Sequence, residues 1–281
     1  VDWVDALARL RDRDEPCVLV TVTTVRGHAP RDAGAKMVVS ATGLWGSVGG
    51  GNLEATAVQR ARAMLADGVT APETAEFGLS EHVATEHGRQ CCGGAVQLLL
   101  EPVPARATVT VFGLGHVGYE LARILSRLEL RLVLVDTRDG RLTDAQRADL
   151  DSGPATVDVR RPVAPESVLA DLPAGAHLLV LTHDHAEDLA VLDAALRRPG
   201  WGSVGLIGSA AKWARFRQRL LREGHPPRLV DSIRCPIGVA GVAGKEPAVI
   251  AVSVAAELLD AAGPLARHRP APATAPRAAG S

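Results

Sequence analysis

Two adjacent thiols stand out among the residues able to do chemistry. The stretch from Glu81 to Gly94 carries His82, His87, Glu81, Glu86 and the run Cys91-Cys92-Gly93-Gly94. The H-x4-H-x3-C-C spacing matches no common zinc pattern. Thiols beside glycines on a loop instead suit a soft ligand, and Arg89 favours the thiolate. The bland alternative is an inert pair in a turn. Upstream, Gly49-Gly50-Gly51-Asn52-Leu53-Glu54 places bare amides where a helix begins, which suits either an anion or a tight turn. Glu54 is explained equally well by the helix dipole or a cap.

Three further groups lie downstream. Gly113-Leu114-Gly115-His116-Val117-Gly118 fits G-x-G-x-x-G, and Asp136 follows 18 residues after Gly118. This spacing suits a pyrophosphate on a helix N-terminus and an acid reading a ribose hydroxyl, although the same glycines also serve simple helix–sheet packing. His183 and His185 in Thr182-His183-Asp184-His185 end an apolar run, where they line a ligand crevice. Gly208-Ser209-Ala210-Ala211-Lys212 opens a basic helix. Lys212 and Arg215 oppose the dipole there, which a bound phosphate-type anion or simply a solvated basic face explains.

These groups need elements to hold them. Thr108–Phe112 reads as a strand, Val117, Leu121, Ile124, Leu125 and Leu128 recur at helical spacing, and Leu132–Val135 reads as a second strand. Strands at 155–159, 177–182 and 203–207 follow, with an edge strand at 229–233 and a last helix from Pro247. That helix is read as burying Val249, Ile250, Val252, Ser253, Ala256 and Leu259. The first half reads as a helix, a strand at 17–25, a hairpin at 36–48, a helix through Ala66 and strands at 73–79 and 95–101. The expected fold class is α/β. An N-terminal α/β domain with a hairpin and a glycine-loop helix spans 1–103. A Rossmann-like parallel-sheet domain spans 104–262, with the boundary in Pro102-Val103-Pro104 and a disordered tail at 263–281.

Bulk properties narrow the function. A net charge of −1 and only one Tyr and three Phe give no reason to expect nucleic acid or an anionic membrane as partner. No apolar run reaches the roughly 18 residues of a membrane span. The first turns show no signal-peptide layout, and the four cysteines form no disulfide framework. A cytoplasmic protein is expected.

Taken together, the motifs resemble one family, the xanthine dehydrogenase accessory proteins of the XdhC/CoxI type. The resemblance covers residues 1–262. It lies in Gly-His-Ala-Pro-Arg at 27–31, Gly-Ser-Val-Gly-Gly-Gly-Asn-Leu-Glu at 46–54 and Gln-Cys-Cys-Gly-Gly at 90–94. The second half adds the 113–118 glycine loop, Thr-His-Asp-His at 182–185, 206–215 and 236–247. The resemblance implies a carrier and insertion chaperone rather than a catalyst. Such a protein binds the molybdenum cofactor (molybdopterin), holds it while a cysteine desulfurase supplies a sulfido ligand, and passes it to xanthine dehydrogenase or a related hydroxylase, commonly as a homodimer. Cys92, then Cys91, are the first choices for the molybdenum. Asn52 stands where CoxI-like members tend to carry a cysteine, which points to the xanthine dehydrogenase branch. The Rossmann-like half takes a nucleotide, the pterin or nothing. The alternative function is an NAD(P)-dependent oxidoreductase built on Gly113–Gly118, against which stands the lack of a Tyr-Lys pair. The expectation is a single cleft shared by the thiols and the second half's amides.

Overall fold

In this computed structural model the described residues are 2–78, 94–242 and 244–261. The chain divides between Ala105 and Arg106 into two units.

The first unit is an antiparallel sheet in the order β3-β2-β1-β5-β4. Its strands are β1 (Cys17–Arg26), β2 (Lys36–Ser40), β3 (Leu44–Gly46), β4 (Glu73–Gly78) and β5 (Ala95–Val103), with helices α1 (Trp3–Asp12) and α2 (Gly51–Ala66). Alternation sorts the side chains, because successive residues of a strand point to opposite faces. Val18, Val20 and Val22 of β1 and Leu98 and Leu100 of β5 join Leu53, Ala57, Ala61 and Met64 of α2 in one core. Cys17 and Val38 on the opposite face meet Leu10 of α1. Burying the large members contributes about 2 kcal/mol each, enough to seat α2 although it opens on three glycines. The register of β1 against β5 slips between Val22 and Thr24, so β1 bends at the end that carries the 27–31 loop.

The second unit is a parallel sheet in the order β10-β9-β6-β7-β8, built from β6 (Thr108–Phe112), β7 (Arg131–Val135), β8 (Thr156–Arg160), β9 (His177–Val180) and β10 (Ser203–Leu206). Its helices are α3 (His116–Leu125), α4 (Asp144–Asp151), α5 (His185–Arg197), α6 (Ala210–Arg222), α7 (Pro227–Val230) and α8 (Pro247–Ala261), with a 3-10 turn at Pro165–Asp171. This is the doubly wound strand order, and both faces are covered. Val109, Val111, Leu132 and Leu134 pack on α3, α4 and α8. Phe112, Val133, Val135, Leu178 and Val180 pack on the 3-10 turn, α5, α6 and α7. The helices after β6 and β9 thus lie on opposite faces, which puts the topological switch point between those strands. No helix among the described residues is long and apolar enough to cross a membrane.

Three expectations are corrected. Residues 229–233 form no strand; Pro227–Val230 is a helical turn with proline in its first positions, where proline's fixed φ favours helix and its missing N–H costs nothing. Helix α8 buries Ser253 as expected, but the rest of its buried face is Ala251, Val254, Ala255 and Leu258, while Val252 is 58% exposed. Its polar residues Ser253, Glu257 and Asp260 fall at helical spacing, but Ser253 is buried, so polarity does not mark the outside; packing against α3 selects the face. Strand β3 ends at Gly46 rather than at Val48. Helix α4 went unread although its signal was present: Thr143 and Gln146 form a reciprocal capping box.

Candidate functional site

In the first unit, Gly49, Gly50 and Gly51 take φ of 140°, 72° and 56°, a run of left-handed conformations that only glycine adopts cheaply. Side chains at Gly50 and Gly51 would meet open space, whereas one at Gly49 would lie 2.7 Å from Pro30. Glu54 reaches back over this loop. Its Oε2 accepts from Ser47 Oγ at 2.6 Å and from Gly50 N at 3.1 Å. The loop therefore already holds a carboxylate at the start of α2, and the first turn also contains half-buried Asn52. A Cβ on Gly94 would stand 2.4 Å from the His28 carbonyl oxygen and 2.6 Å from that of Arg26. Segments 27–31 and 46–54 and the residue closing the thiol segment consequently pack at one end of this sheet. Cys91 and Cys92 themselves lie outside the described residues. The two thiols that are described are poor nucleophiles. Burial pushes Cys17 up to about 11. Burial also raises Cys235, with Lys212 drawing it back and Asp188 adding to the rise.

In the second unit, the predicted residues gather at the carboxyl edge of the parallel sheet, where open α/β folds bind ligands. The three glycines of the 113–118 loop have separate roles. Gly113 has φ 109°, and a Cβ there would lie 2.2 Å from the Leu181 carbonyl oxygen, so β6 and β9 touch backbone to backbone at the switch point. A Cβ on Gly118 would lie 2.0 Å from the Gly113 oxygen; its absence lets α3 sit on the strand. Gly115 begins α3 with no side-chain cap and faces open space.

Asp136 is buried at the end of β7. Its Oδ2 accepts from Leu114 N at 2.7 Å and from Arg138 Nη2 at 2.8 Å, and its Oδ1 accepts from Arg138 N and Nε at 3.0 and 2.9 Å. Burial alone would raise its pKa, but the bonds from Arg138 and Leu114 together outweigh burial and hold the carboxyl below its ordinary value. The other end of the Leu114 peptide is held by Arg141, which donates to its carbonyl.

Lys212 does not project toward a ligand. It turns inward and donates to Asp188 Oδ2 at 2.5 Å and to the Ile207 carbonyl at 3.0 Å. Asp188 is fully buried, and its Oδ1 also takes the Thr182 amide at 3.0 Å and the Thr182 hydroxyl at 2.7 Å. The cation at the start of α6 thus has its anion inside the protein. Asp188 is the residue that sequence reasoning missed, because one acid in a first turn looks like any other. The usable signal was Lys212, a cation placed against a helix dipole.

Ser209 caps α6 by accepting from Lys212 N at 3.2 Å, and Gly208 lies beside the Lys212 stem and Cys235. Asp184 caps α5. His183 is exposed and 3.5 Å from Glu187 Oε2, while Glu187 Oε1 accepts from Thr137 Oγ1 at 2.6 Å. His185 instead makes a T-shaped contact with Phe216, with ring centres 5.9 Å apart. So Gly115 and His183 reach the surface at this edge, with Gly113, Gly118 and Asp136 buried, whereas His185 and Ser209 mark the α5–α6 side.

Comparisons with known proteins match both units. A family model described as the XdhC Rossmann domain matches residues 109–258, and one described as the XdhC and CoxI family matches residues 10–78. An uncharacterized protein, YqeB, of Escherichia coli K12 is 24% identical over 254 residues, which are 90% of this chain and 44% of that protein. The chain therefore spans less than half the length of this curated relative. A solved structure titled a xanthine dehydrogenase from Bacillus halodurans is 19% identical, with a TM-score of 0.47 over 98% of each chain. With the Rossmann-domain match alone extending over more than half of its residues, this chain belongs to the XdhC and CoxI family.

Proposed function

We propose that this chain is an accessory protein of a xanthine dehydrogenase-type hydroxylase: it binds the molybdenum cofactor, presents it to a cysteine desulfurase and hands it on. Family membership supports the accessory role and the link to molybdenum cofactor maturation. The observation that carries the reading is local. The residue closing the Cys91-Cys92 segment packs on the 27–31 loop, and the glycine loop packs on Pro30 of that same loop.

The residues present suit such a group. Thiolates are the soft ligands that a dithiolene-bound metal tolerates, and Gly50 and Gly51 leave room for a ligand to approach the backbone. Glu54 changes the expected polarity of that loop. Its carboxylate disfavours a phosphate, but its Oε1 makes no hydrogen bond among the described residues, so it can accept from an N–H-rich edge such as a pterin's. When bound, the group supplies the molybdenum and dithiolene sulfur of the future hydroxylase centre. This chain's own residues bind and orient it: Cys92 and Cys91 at the metal, Glu54 at the pterin edge. Catalysis belongs to the partners, and a homodimer is the expected assembly.

The test is retention of cofactor by the full chain purified from cells that make molybdopterin. Pterin fluorescence after oxidation and molybdenum by mass spectrometry give two readouts. Cys92→Ala is expected to lose most of both, and Glu54→Gln to lose pterin several-fold while the protein stays folded. Retention unchanged in the Cys91→Ala/Cys92→Ala double variant would sink the thiol role.

A further inference from the structure

Asp136 and Arg138 carry an inference that does not rest on the cofactor reading. Asp136 receives four hydrogen bonds, from Leu114 N, Arg138 N, Arg138 Nε and Arg138 Nη2. A carboxylate offers about four lone-pair sites, so the group is full. Its donors divide into two kinds. The two backbone amides are fixed by the glycine loop and the β7 exit. The two side-chain donors belong to a guanidinium that is 32% exposed, against 4% for the Asp136 side chain, so Arg138 can leave into solvent while Asp136 stays.

Of the four helices that directly follow strands of this sheet, α4, α5 and α6 start on a side-chain cap and α3 does not. Helix α5 is capped by Asp184 and α6 by Ser209. Helix α3 has no side-chain cap, and Gly115 faces open space beside Leu114, whose amide Asp136 holds. A ligand phosphate on the α3 amides therefore places the attached sugar toward Asp136. A ribose cis-diol brings two O–H donors side by side, the number the Arg138 side chain withdraws. The exchange leaves the buried acid satisfied. A 2′-phosphate brings charge and no donors, so displacement by it would leave a buried carboxylate facing an anion.

We propose that Arg138 is a displaceable internal occupant of a ribose-diol site, and that this unit takes a diphosphate-linked ribonucleotide whose free 2′- and 3′-hydroxyls replace the Arg138 fork on Asp136. Arg138 then sets a threshold: the fraction of molecules with the fork open scales the apparent affinity.

The sign of one substitution separates this from the ordinary expectation that an arginine near a phosphate helps binding. Calorimetric titration of the full chain with NAD+, NADP+, ADP and CDP gives the measurement. Arg138→Ala is expected to bind at least one of the diol ligands (NAD+, ADP or CDP) about tenfold more tightly than the unmodified chain, with NADP+ weak in both. ADP against CDP tells which base the site accepts. Arg138→Lys, which keeps the charge and loses the fork, is expected to fall between and guards against a variant that fails to fold. Tighter binding of NADP+ than NAD+, a loss of affinity in Arg138→Ala, or no binding of any of the four ligands to either protein would overturn the proposal.

Discussion

The glycines of the 113–118 loop are not interchangeable, and their surroundings say how each responds to one added carbon. A Cβ on Gly118 meets the Gly113 carbonyl oxygen at 2.0 Å and Leu181 Cδ1 at 3.0 Å. The oxygen belongs to a buried backbone and cannot swing aside, so α3 has to lift from β6. Gly118→Ala is expected to cost about 3 kcal/mol, read as a lowered urea midpoint at constant slope. Gly115 has φ −71° and ψ −171°, and nothing lies within 4 Å of its would-be Cβ. Gly115→Ala is therefore expected to keep stability within about 0.5 kcal/mol. Equal losses at the two positions would refute the division of roles. Packing does not demand a glycine at 115, which leaves the space that the proposed ligand phosphate needs.

At the scale of elements, a single buried ion pair ties the exits of β9 and β10 to the first turns of α5 and α6. Asp188 on α5 takes the Thr182 amide and hydroxyl after β9, and Lys212 on α6 bridges Asp188 and the Ile207 carbonyl after β10. Replacing one partner leaves a buried charge without its counterion. Lys212→Met is expected to destabilise the unit by about 3–5 kcal/mol. The double variant Asp188→Asn/Lys212→Met should recover part of that loss, since the charge is gone from both sides. Chemical denaturation of the two single variants and the double variant measures the coupling; strict additivity would show that the pair is not the tie. The pair also marks where reading from sequence stopped. Lys212 stood out as a cation set against a helix dipole, and an external phosphate looked like its explanation. The true partner is 24 residues earlier and meets it only because β9 and β10 are neighbours in the sheet.

For the whole chain, what could be read in advance followed from periodicity and from glycine. The strand–loop–helix–strand run at 108–136 was legible because alternation, helical spacing and the G-x-G-x-x-G pattern agree there, and the parallel five-stranded sheet bears them out. Legibility failed where tertiary contacts choose between equal local options. Helix α8 is apolar from Pro247 to Val252, so packing on α3 decides that Ala251 faces inward and Val252 outward. At the candidate site, positions were readable but partners were not. Asp136 was found from its place after β7, whereas the Arg138 fork that fills it is a matter of side-chain geometry. The cores themselves yield a last expectation. Every residue of the two clusters in the parallel-sheet unit lies after Ala105, and every residue of the other two lies before it. A unit with its own closed core folds alone. Residues 106–261 expressed by themselves should melt cooperatively, and they should retain the Arg138→Ala gain in nucleotide affinity, because Leu114, Gly115, Asp136 and Arg138 all belong to that piece. A broad, non-cooperative melt with exposed apolar surface would mean that its core is completed from outside the piece.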